Sequence, residues 1–236
     1  MAPLPRAVNA RELLEAEAPL AELEESLRDV ARLNRFFGGT RLTRARVAQL
    51  LDGIAADRPV MILDVGTGGA DLPVALVRWA RRRGRPIRVL ALDRNARILA
   101  IARRLAAGYP EIVFLLGDGL RLPVKSGAVD MALVSLTLHH LEPAEAPTLL
   151  SELNRAARLG VVVNDLVRSR LAYCLVWLAT RLFARNRMSR HDGPLSVLRA
   201  YTPGETLELA RRAGLNGVRV VRYPWLSRQA IVWRKR

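Results

Sequence analysis

From residue 60 onward, short apolar segments alternate with segments in which apolar residues recur at helical spacing. The apolar segments, which we predict to be β-strands, are residues 60–65, 87–92, 111–116, 129–135 and 159–164. The segments predicted to be helices are residues 71–83, 95–107 and 144–156. Apolar strands separated by amphipathic helices are typical of a parallel sheet with helices on both faces. The pattern therefore predicts an α/β fold.

The N-terminal residues 1–58 contain helical patterns only, and we expect them to form a helical cap of the domain that spans residues 59–236. Asn9 and Glu12 have the spacing of a capping box, which predicts a short first helix. Two further helices are predicted, from Pro19 to Gly38–Gly39 and from Leu42 to Ile54. The sequence leaves open whether these helices cover a functional site or only one face of the sheet.

The C-terminal part begins with an apolar helix near residues 168–183, followed by a polar connection that contains glycine and proline. A further helix is predicted from Pro203 to Ala213. Residues 217–222 and 228–233 then form two strands, and their short link makes them antiparallel neighbours. We therefore expect a seven-stranded, mostly parallel sheet that ends in an antiparallel hairpin.

Length and cysteine content limit the class of protein. A chain of 236 residues is long enough for one α/β domain with a substantial core and too short for two ordinary domains. The single cysteine, Cys174, excludes an internal disulfide and suits a reducing compartment. Glu12, Glu15 and Glu17 lie where a signal peptide needs an apolar core. We therefore expect a cytoplasmic protein.

The formal net charge is +16, from 38 lysine and arginine residues and 22 aspartate and glutamate residues. Such a balance would suit nucleic-acid binding, because cationic side chains neutralise phosphates. The arginines are scattered along the chain, however, and no aromatic residues interleave with them to stack on bases. We therefore predict a solvated cationic surface and consider nucleic acid an unlikely partner.

The most informative segment is the glycine-rich turn that follows the first predicted strand. Asp64, Gly66 and Gly68 form the pattern D-x-G-x-G, in which the glycines allow a sharp bend and a close approach of ligand to backbone. A dinucleotide fingerprint would place a third glycine where Asp71 stands, and a carboxylate there would repel a pyrophosphate. The turn therefore favours a cofactor without phosphates and with a positive charge, such as S-adenosylmethionine.

Two further acidic residues follow the next two predicted strands. Asp93 is placed to accept hydrogen bonds from both ribose hydroxyls, a role that would serve NAD equally well. Asp118 would accept from an adenine amino group while Leu120 or Leu122 lines the ring. An isolated aspartate is more often a helix cap or a turn residue. Their joint placement at successive strand ends favours a site for an adenosyl cofactor.

These ordered motifs resemble those of class I S-adenosylmethionine-dependent methyltransferases, which have a Rossmann-like fold. The chain is most similar to the small bacterial group related to the ubiquinone- and menaquinone-biosynthesis methyltransferases. The matching motifs are Asp64–Asp71, Leu92–Asn95, Gly117–Pro123 and Val129–Leu141. Residues 185–203 resemble a segment of methyltransferases encoded near bacterial type III polyketide synthases.

The resemblance implies that S-adenosyl-L-methionine is the cofactor, with its methionine end at the glycine turn. The implied cofactor-binding residues are Asp64, Gly66, Thr67, Gly68, Asp71, Asp93, Arg94, Asp118, Gly119 and Ser135. It also implies a small hydrophobic acceptor, and we expect O-methylation of a phenolic or quinone-like, polyketide-type molecule. The alternatives are an RNA methyltransferase and a non-catalytic, cofactor-binding regulatory protein. No metal is expected, and the sequence does not predict the oligomeric state.

Three histidines are candidate catalytic bases. His139 and His140 follow the fourth predicted strand, beside the expected methyl donor, although such a pair would also pack against and cap the following helix. His191 precedes Asp192, which would orient its imidazole, but the segment His-Asp-Gly-Pro is also typical of a turn.

The apolar helix at 168–183 has three possible roles: part of the core, a lid over the acceptor, or a helix on a membrane surface. It falls short of the roughly 20 apolar residues that a bilayer span requires. In the lid interpretation, Tyr173, Trp177 and Arg190 would bind the substrate.

Overall fold

One seven-stranded sheet forms the centre of the computed structural model, which describes residues 4–215 and 217–235. The strands are β1 Val60–Val65, β2 Ile87–Asp93, β3 Ile112–Leu116, β4 Val129–Ser135, β5 Ala157–Leu166, β6 Arg219–Tyr223 and β7 Arg228–Arg234. Every strand lies within about two residues of its predicted position. Buried valine, isoleucine and leucine side chains point to both faces of the central strands β1, β4 and β5, which is why the sequence signal is strong there.

The strand order is β3-β2-β1-β4-β5-β7-β6. Strands β1 to β5 are parallel, and β7 is antiparallel to both β5 and β6. The predicted mostly parallel sheet with a C-terminal antiparallel hairpin is therefore confirmed. The strand order reverses between β1 and β4, where open α/β sheets bind ligands at the carboxyl ends of their strands.

Helices cover both faces of the sheet, as predicted. The helices of the described residues are α1 Leu20–Phe36, α2 Gly39–Leu50, α3 Asp71–Arg81, α4 Ala96–Leu105, α5 Ala146–Ala156, α6 Arg170–Phe183, α7 Arg187–Arg199 and α8 Pro203–Arg212. Alternate residues of β1 point to opposite faces: Ile62 packs with α2 and α3, whereas Leu63 packs with α5 and α8. None of the helices between residues 4 and 235, residue 216 aside, combines the length and apolar character needed to cross a membrane.

The prediction of a short first helix after Asn9 is wrong. Asn9 has a left-handed backbone, with φ of 58°, and only a single 3-10 turn, Leu13–Glu15, forms after it. The Glu12 side chain does not close a capping box; it accepts a hydrogen bond from the Ser196 hydroxyl at 2.7 Å. This long-range contact replaces the local capping contact. It cannot be predicted from the sequence pattern, because Ser196 is distant along the chain.

The polar connection after residue 183 is also different from the prediction. Residues 187–199 form α7, so His191–Pro194 is helical rather than a turn. Asn186 caps this helix by accepting from the backbone N–H of Met188 at 2.8 Å. Gly193 allows α7 to approach α6 closely, because a Cβ there would lie 2.5 Å from Thr180 Cγ2. Tertiary packing therefore outweighs the weak local helix propensity of glycine and proline.

The close approach of α6 and α7 yields a prediction about stability. Replacing Gly193 with Ala should lower the free energy of unfolding by about 1–3 kcal/mol, because the added methyl group must push the two helices apart. Gly204→Ala, in α8, is the matched control, since no atom lies within 4 Å of its Cβ position. That substitution should be neutral or stabilising by up to about 1 kcal/mol. Urea denaturation would measure both, and a Gly193→Ala midpoint equal to that of Gly204→Ala would contradict the contact.

Candidate functional site

A cavity of about 410 Å³ lies at the carboxyl ends of β1 to β4. It is bounded by the loops that follow these strands and by the N-terminal residues of the chain. All ten residues predicted to bind the cofactor line it, namely Asp64, Gly66, Thr67, Gly68, Asp71, Asp93, Arg94, Asp118, Gly119 and Ser135. Strand ends that are distant in sequence are therefore brought together as the parallel topology requires.

The glycine turn after β1 needs backbone conformations that only glycine adopts freely. Gly66 and Gly68 have φ of 72° and 53°. A Cβ on Gly66 would also lie 2.6 Å from Thr137 Cγ2, in the loop after β4. Ala70 adopts φ of 60° as well, at the residue that precedes α3. The turn therefore lines the cavity through Gly66 and Gly68, whereas Ala70 adopts the left-handed conformation in the buried start of α3.

Three carboxylates surround this turn. Asp64 is buried, and its Oδ2 accepts from the Thr67 hydroxyl at 2.8 Å. Asp93 accepts from the backbone N–H of Gly68 at 3.0 Å. Burial, together with the nearby charges of Asp71 and Asp93, raises the pKa of Asp64 to about 7, although the hydrogen bond from Thr67 opposes the change. Such a cluster of poorly solvated carboxylates would be stabilised by a cationic ligand.

The wall after β3 contains Asp118, whose Oδ1 accepts from the backbone N–H of Leu120 at 2.9 Å. Asp118 is exposed, whereas a Cβ on Gly119 would lie 3.0 Å from Val65 Cγ1, so the chain packs tightly here. Of the two leucines that the sequence offered for this wall, Leu120 lines the cavity and Leu122 lies in the core.

Ser135 and Leu136 form the wall at the end of β4. The Ser135 hydroxyl oxygen is buried and, among the described residues, has no hydrogen-bond partner. Leu136 has a left-handed backbone, with φ of 56°, a conformation that costs a leucine roughly 1–2 kcal/mol. A free polar atom and a strained residue on the same cavity wall are both features of ligand-binding sites.

The N-terminal segment covers the cavity, and the sequence left this role open. Leu14, Glu15, Leu27, Val30 and Asn34 all line it. By contrast, α2 contributes buried side chains to the cluster on one face of the sheet. The segment thus divides into a cap, formed by the 3-10 turn and α1, and a sheet cover, formed by α2. The cap residues are functional candidates that sequence reasoning missed.

Asn34 attaches the cap to the glycine turn. Its amide nitrogen donates to Asp71 Oδ2 at 2.9 Å, and its amide oxygen accepts from Arg228 at 3.0 Å. Desolvation raises the pKa of Asp71, whereas burial lowers the pKa of Arg228 to about 10. The amide therefore bridges a buried cation and a carboxylate of the cavity wall.

His140 is the only one of the three predicted catalytic histidines that lines the described cavity. Its Nδ1 lies 2.5 Å from Glu15 Oε1, and the Arg199 guanidinium donates to the same oxygen at 2.8 Å. Burial alone would raise the pKa of Glu15, but its contacts with His140 and Arg199 lower it. Glu15 therefore remains a carboxylate that can orient the imidazole of His140.

His139 lies behind the cavity wall. Its Nδ1 is 2.6 Å from Asp165 Oδ1, and its Nε2 is 3.6 Å from Glu12 Oε1. Burial opposes its protonation, yet the carboxylates of Asp165 and Glu12 raise the pKa of His139 to about 10. Burial would likewise raise the pKa of Glu12, but His140 and His139 lower it to about 2. His139 therefore has the geometry of a buried imidazolium in an ion network.

Glu12, His139 and His140 place a carboxylate oxygen and two ring nitrogens within 4.8 Å of one another, as in a metal site. The two imidazole rings are stacked, with centroids 4.3 Å apart and planes 33° apart. A ring nitrogen binds a metal through a lone pair in the ring plane, and two such planes side by side do not direct their lone pairs to one point. The arrangement therefore suits ion pairs and hydrogen bonds between Glu12 and the two imidazoles better than a metal ion.

Four predicted site residues lie elsewhere. His191 contacts Asp192 at 2.8 Å as predicted, but it is exposed and does not line the cavity. Asp192 instead accepts from the backbone N–H groups of Leu13 and Leu14. The predicted substrate residues Tyr173, Trp177 and Arg190 do not line the cavity either. Tyr173 instead packs in the apolar cluster that α6 forms with Leu166 and Val167 at the end of β5, so the role predicted for these three residues over the acceptor stays a prediction.

Comparisons with known proteins agree with this geometry. Residues 62–160 match the family model described as "Methyltransferase domain". A malonyl-[acyl-carrier protein] O-methyltransferase from Xylella fastidiosa (strain M23) is 30% identical over 116 residues, which cover 49% of this chain and 37% of that protein. An uncharacterized 37.1 kDa protein in transposon TN4556 of Streptomyces fradiae is 32% identical over 158 residues, which cover 64% of this chain and 44% of that protein. The chain thus spans less than half the length of these curated relatives.

A solved structure shares the fold. A SAM dependent methyltransferase from Aquifex aeolicus superimposes with a TM-score of 0.56 at 19% identity, over 79% of this chain and 88% of that one. Likeness at this identity establishes the fold alone. The sequence match identifies residues 62–160 as a methyltransferase domain, and the solved structure shows the same Rossmann-like fold, in agreement with the sequence resemblance.

Proposed function

We propose that this protein binds S-adenosylmethionine in the cavity and transfers its methyl group to a hydroxyl oxygen of a small hydrophobic acceptor. The observation that carries the proposal is the group of carboxylates around the glycine turn, where Asp64 has a pKa raised to about 7. A ligand that carries a sulfonium and an ammonium group relieves their mutual repulsion, whereas a pyrophosphate would increase it. The volume of about 410 Å³ is in the range of small-molecule sites.

The residues present fit the parts of this cofactor. Asp64 and the backbone of the turn at Gly66 and Gly68 would hold its methionine end. Asp93 would accept from the ribose hydroxyls through the remaining lone pairs of its carboxylate, and Asp118 would accept from the adenine amino group. The remaining members of the proposed cofactor site are Thr67, Asp71, Arg94, Gly119 and Ser135. When bound, the cofactor supplies an electrophilic methyl group.

His140 is the proposed general base, and Glu15 positions it. Glu15 accepts from Nδ1 of the imidazole, and Nε2, which lies 3.9 Å from Glu12 Oε2, would accept the proton of an acceptor hydroxyl. With the methyl group supplied by the bound cofactor, the role of this chain's own residues would be to hold the hydroxyl proton at Nε2 of His140 and to keep the acceptor oxygen beside it. The cap covers the cavity, which excludes water from the displacement.

Apolar side chains of the cap and of the loop after β4 support an apolar acceptor. Leu14, Leu27, Val30, Leu136 and Leu141 present apolar side chains to the cavity. The Xylella fastidiosa relative is named as an O-methyltransferase, which supports an oxygen acceptor. With the resemblance of residues 185–203 to polyketide-associated methyltransferases, we propose a phenolic or quinone-like molecule. Radiolabelled methyl transfer to a panel of alkylphenols and hydroxyquinones would test this class, and label found only in RNA would contradict it.

Binding of S-adenosylmethionine should release a proton from Asp64. The folded-state pKa of about 7 exceeds the ordinary value of 3.8. The protonated Asp64 side chain therefore stabilises the unliganded fold at low pH. This stabilisation is lost as the pH rises through about 7, because the buried carboxyl becomes charged. A bound cation would then offset the loss. Calorimetry at pH 6.5 in buffers of different ionisation enthalpy should detect the release. Asp64→Asn should abolish it and weaken binding roughly ten- to hundredfold, while Asp57→Asn, at an exposed carboxylate, should change neither.

Gly66→Ala should prevent binding of S-adenosylmethionine. The added Cβ would meet the Thr137 side chain, and φ of 72° disfavours alanine. Gly53→Ala is the matched control, because Gly53 has φ of 82° but no atom within 4 Å of its Cβ position. Gly53→Ala should lose about 1 kcal/mol of stability from backbone strain and keep the ligand, whereas Gly66→Ala should lose about 1–3 kcal/mol more from the contact with Thr137 and also lose the ligand. Equal binding by the two variants in calorimetry would mean that the turn is not the binding site.

His140→Ala should lower kcat about a hundredfold, the contribution expected of a general base. Binding of S-adenosylmethionine should be unchanged, and added imidazole should restore part of the rate. Glu15→Gln should lower kcat less, because the imidazole remains but loses its orientation. His191→Ala serves as the control and should retain full turnover, since His191 lies outside the cavity. Full turnover of His140→Ala would show that the proton is taken by another group.

A further inference from the structure

Helix α6 presents an apolar stripe to the solvent. Leu171, Cys174, Leu178 and Leu182 are all exposed and recur at i, i+3, i+7 and i+11, so they lie on one side of the helix. Leu182 is 65% exposed, although a leucine at the end of an amphipathic helix is ordinarily covered by a neighbouring element. The stripe is long enough to be a contact surface rather than an isolated exposed residue.

Further exposed aromatic side chains lie beside this stripe, on α6 itself and on two elements that pack against it. Phe183 lies beside Phe36 of α1, with ring centroids 5.2 Å apart, and both are more than half exposed. Trp177 is exposed on α6 itself. Trp225 is 79% exposed on the 3-10 turn Pro224–Leu226, which packs against α6. We call this surface the apolar face; it consists of Phe36, Leu171, Cys174, Trp177, Leu178, Leu182, Phe183 and Trp225.

Arginines surround the apolar face. Arg32, Arg35, Arg185 and Arg190 line a groove of about 560 Å³ between the ends of α1 and α6, together with Phe36 and Phe183. The Arg181 guanidinium lies over the Trp177 ring, 5.5 Å from its centroid. Within residues 4–215 and 217–235, carboxylates form salt bridges with Arg32 but with none of the other four arginines. Their positive charge is therefore available to an external anionic partner.

We propose that the apolar face docks on an anionic membrane surface. Apolar and aromatic side chains next to unpaired arginines are the composition of helices that lie in a lipid interface, where the arginines contact phosphate groups. Tryptophan at the border of such a surface is favoured at the level of the headgroups. A symmetric dimer through the same face would bring equivalent arginines together, so a second copy of the chain is the less favourable occupant.

The docked orientation would place the cavity near the lipid. Helix α1 lines the cavity with Leu27 and Val30, and it contributes Arg35 and Phe36 to the groove and the apolar face. The proposal goes beyond the methyl transfer proposed above and does not depend on it, because membrane binding is measured without cofactor or acceptor.

Flotation with lipid vesicles tests the proposal. The full chain should float with vesicles of equal parts phosphatidylcholine and phosphatidylglycerol, bind phosphatidylcholine alone at least tenfold more weakly, and be released by salt. Arg35→Gln and Arg185→Gln should each weaken binding roughly fivefold. Leu182→Gln should weaken it roughly tenfold. The matched controls are Arg82→Gln and Leu116→Gln, exposed residues outside the face, and both should bind as the unchanged chain does.

Three outcomes would overturn the proposal. They are absence of flotation with anionic vesicles, equal loss in the control variants, and sedimentation of a dimer that Leu182→Gln converts to a monomer. The last outcome would assign the face to a second copy. Thermal unfolding and calorimetry with S-adenosylmethionine, performed on every variant, separate this test from that of the proposed function. A variant that binds the cofactor normally but no longer floats supports the membrane surface, whatever the acceptor is.

Discussion

The ion network around His139 is the constraint on which the cap depends. It joins the N-terminal Glu12 to the end of β4 and, through Asp165, to β5. Buried charges are tolerated only when their partners satisfy them, and breaking such a network leaves an uncompensated charge. Each group stabilises the charged form of the other, because the pKa of Glu12 is lowered and the pKa of His139 is raised. By holding the first turn of the chain in place, the network also positions Glu15 beside His140.

The carboxylates at the glycine turn differ from this network in one respect. Asp165 has an imidazolium partner at 2.6 Å, whereas the one side-chain partner of Asp64 among the described residues is the Thr67 hydroxyl, and two neighbouring carboxylates repel it. The charges of the His139 network are therefore balanced within the protein, whereas the carboxylates at the glycine turn lack a cationic partner among the described residues. An incomplete group in a cavity, beside the free hydroxyl of Ser135, is what a preorganised site for a cation requires.

The sequence predicted the sheet and the cofactor side of the cavity because both follow local rules. Strand burial gives apolar segments, and parallel topology brings the residues after each strand to one edge, so Asp64, Asp93 and Asp118 meet there. The cap could not be predicted, because Glu15 approaches His140 across 125 residues of sequence. Helix α7 was missed since Gly193 and Pro194 argue locally against a helix, and only its packing on α6 makes the glycine favourable.

Helix α1 contacts the cavity on one side and contributes to the apolar face on the other. In the proposed docked state, α1 would belong to two binding surfaces at once. An occupant that orders α1 from one side would lower the entropic cost of binding on the other side. By thermodynamic linkage the effect would be reciprocal, so each occupant would raise the affinity for the other by the same factor. The seventeen residues of this helix thus connect the outer surface of the protein with its interior site.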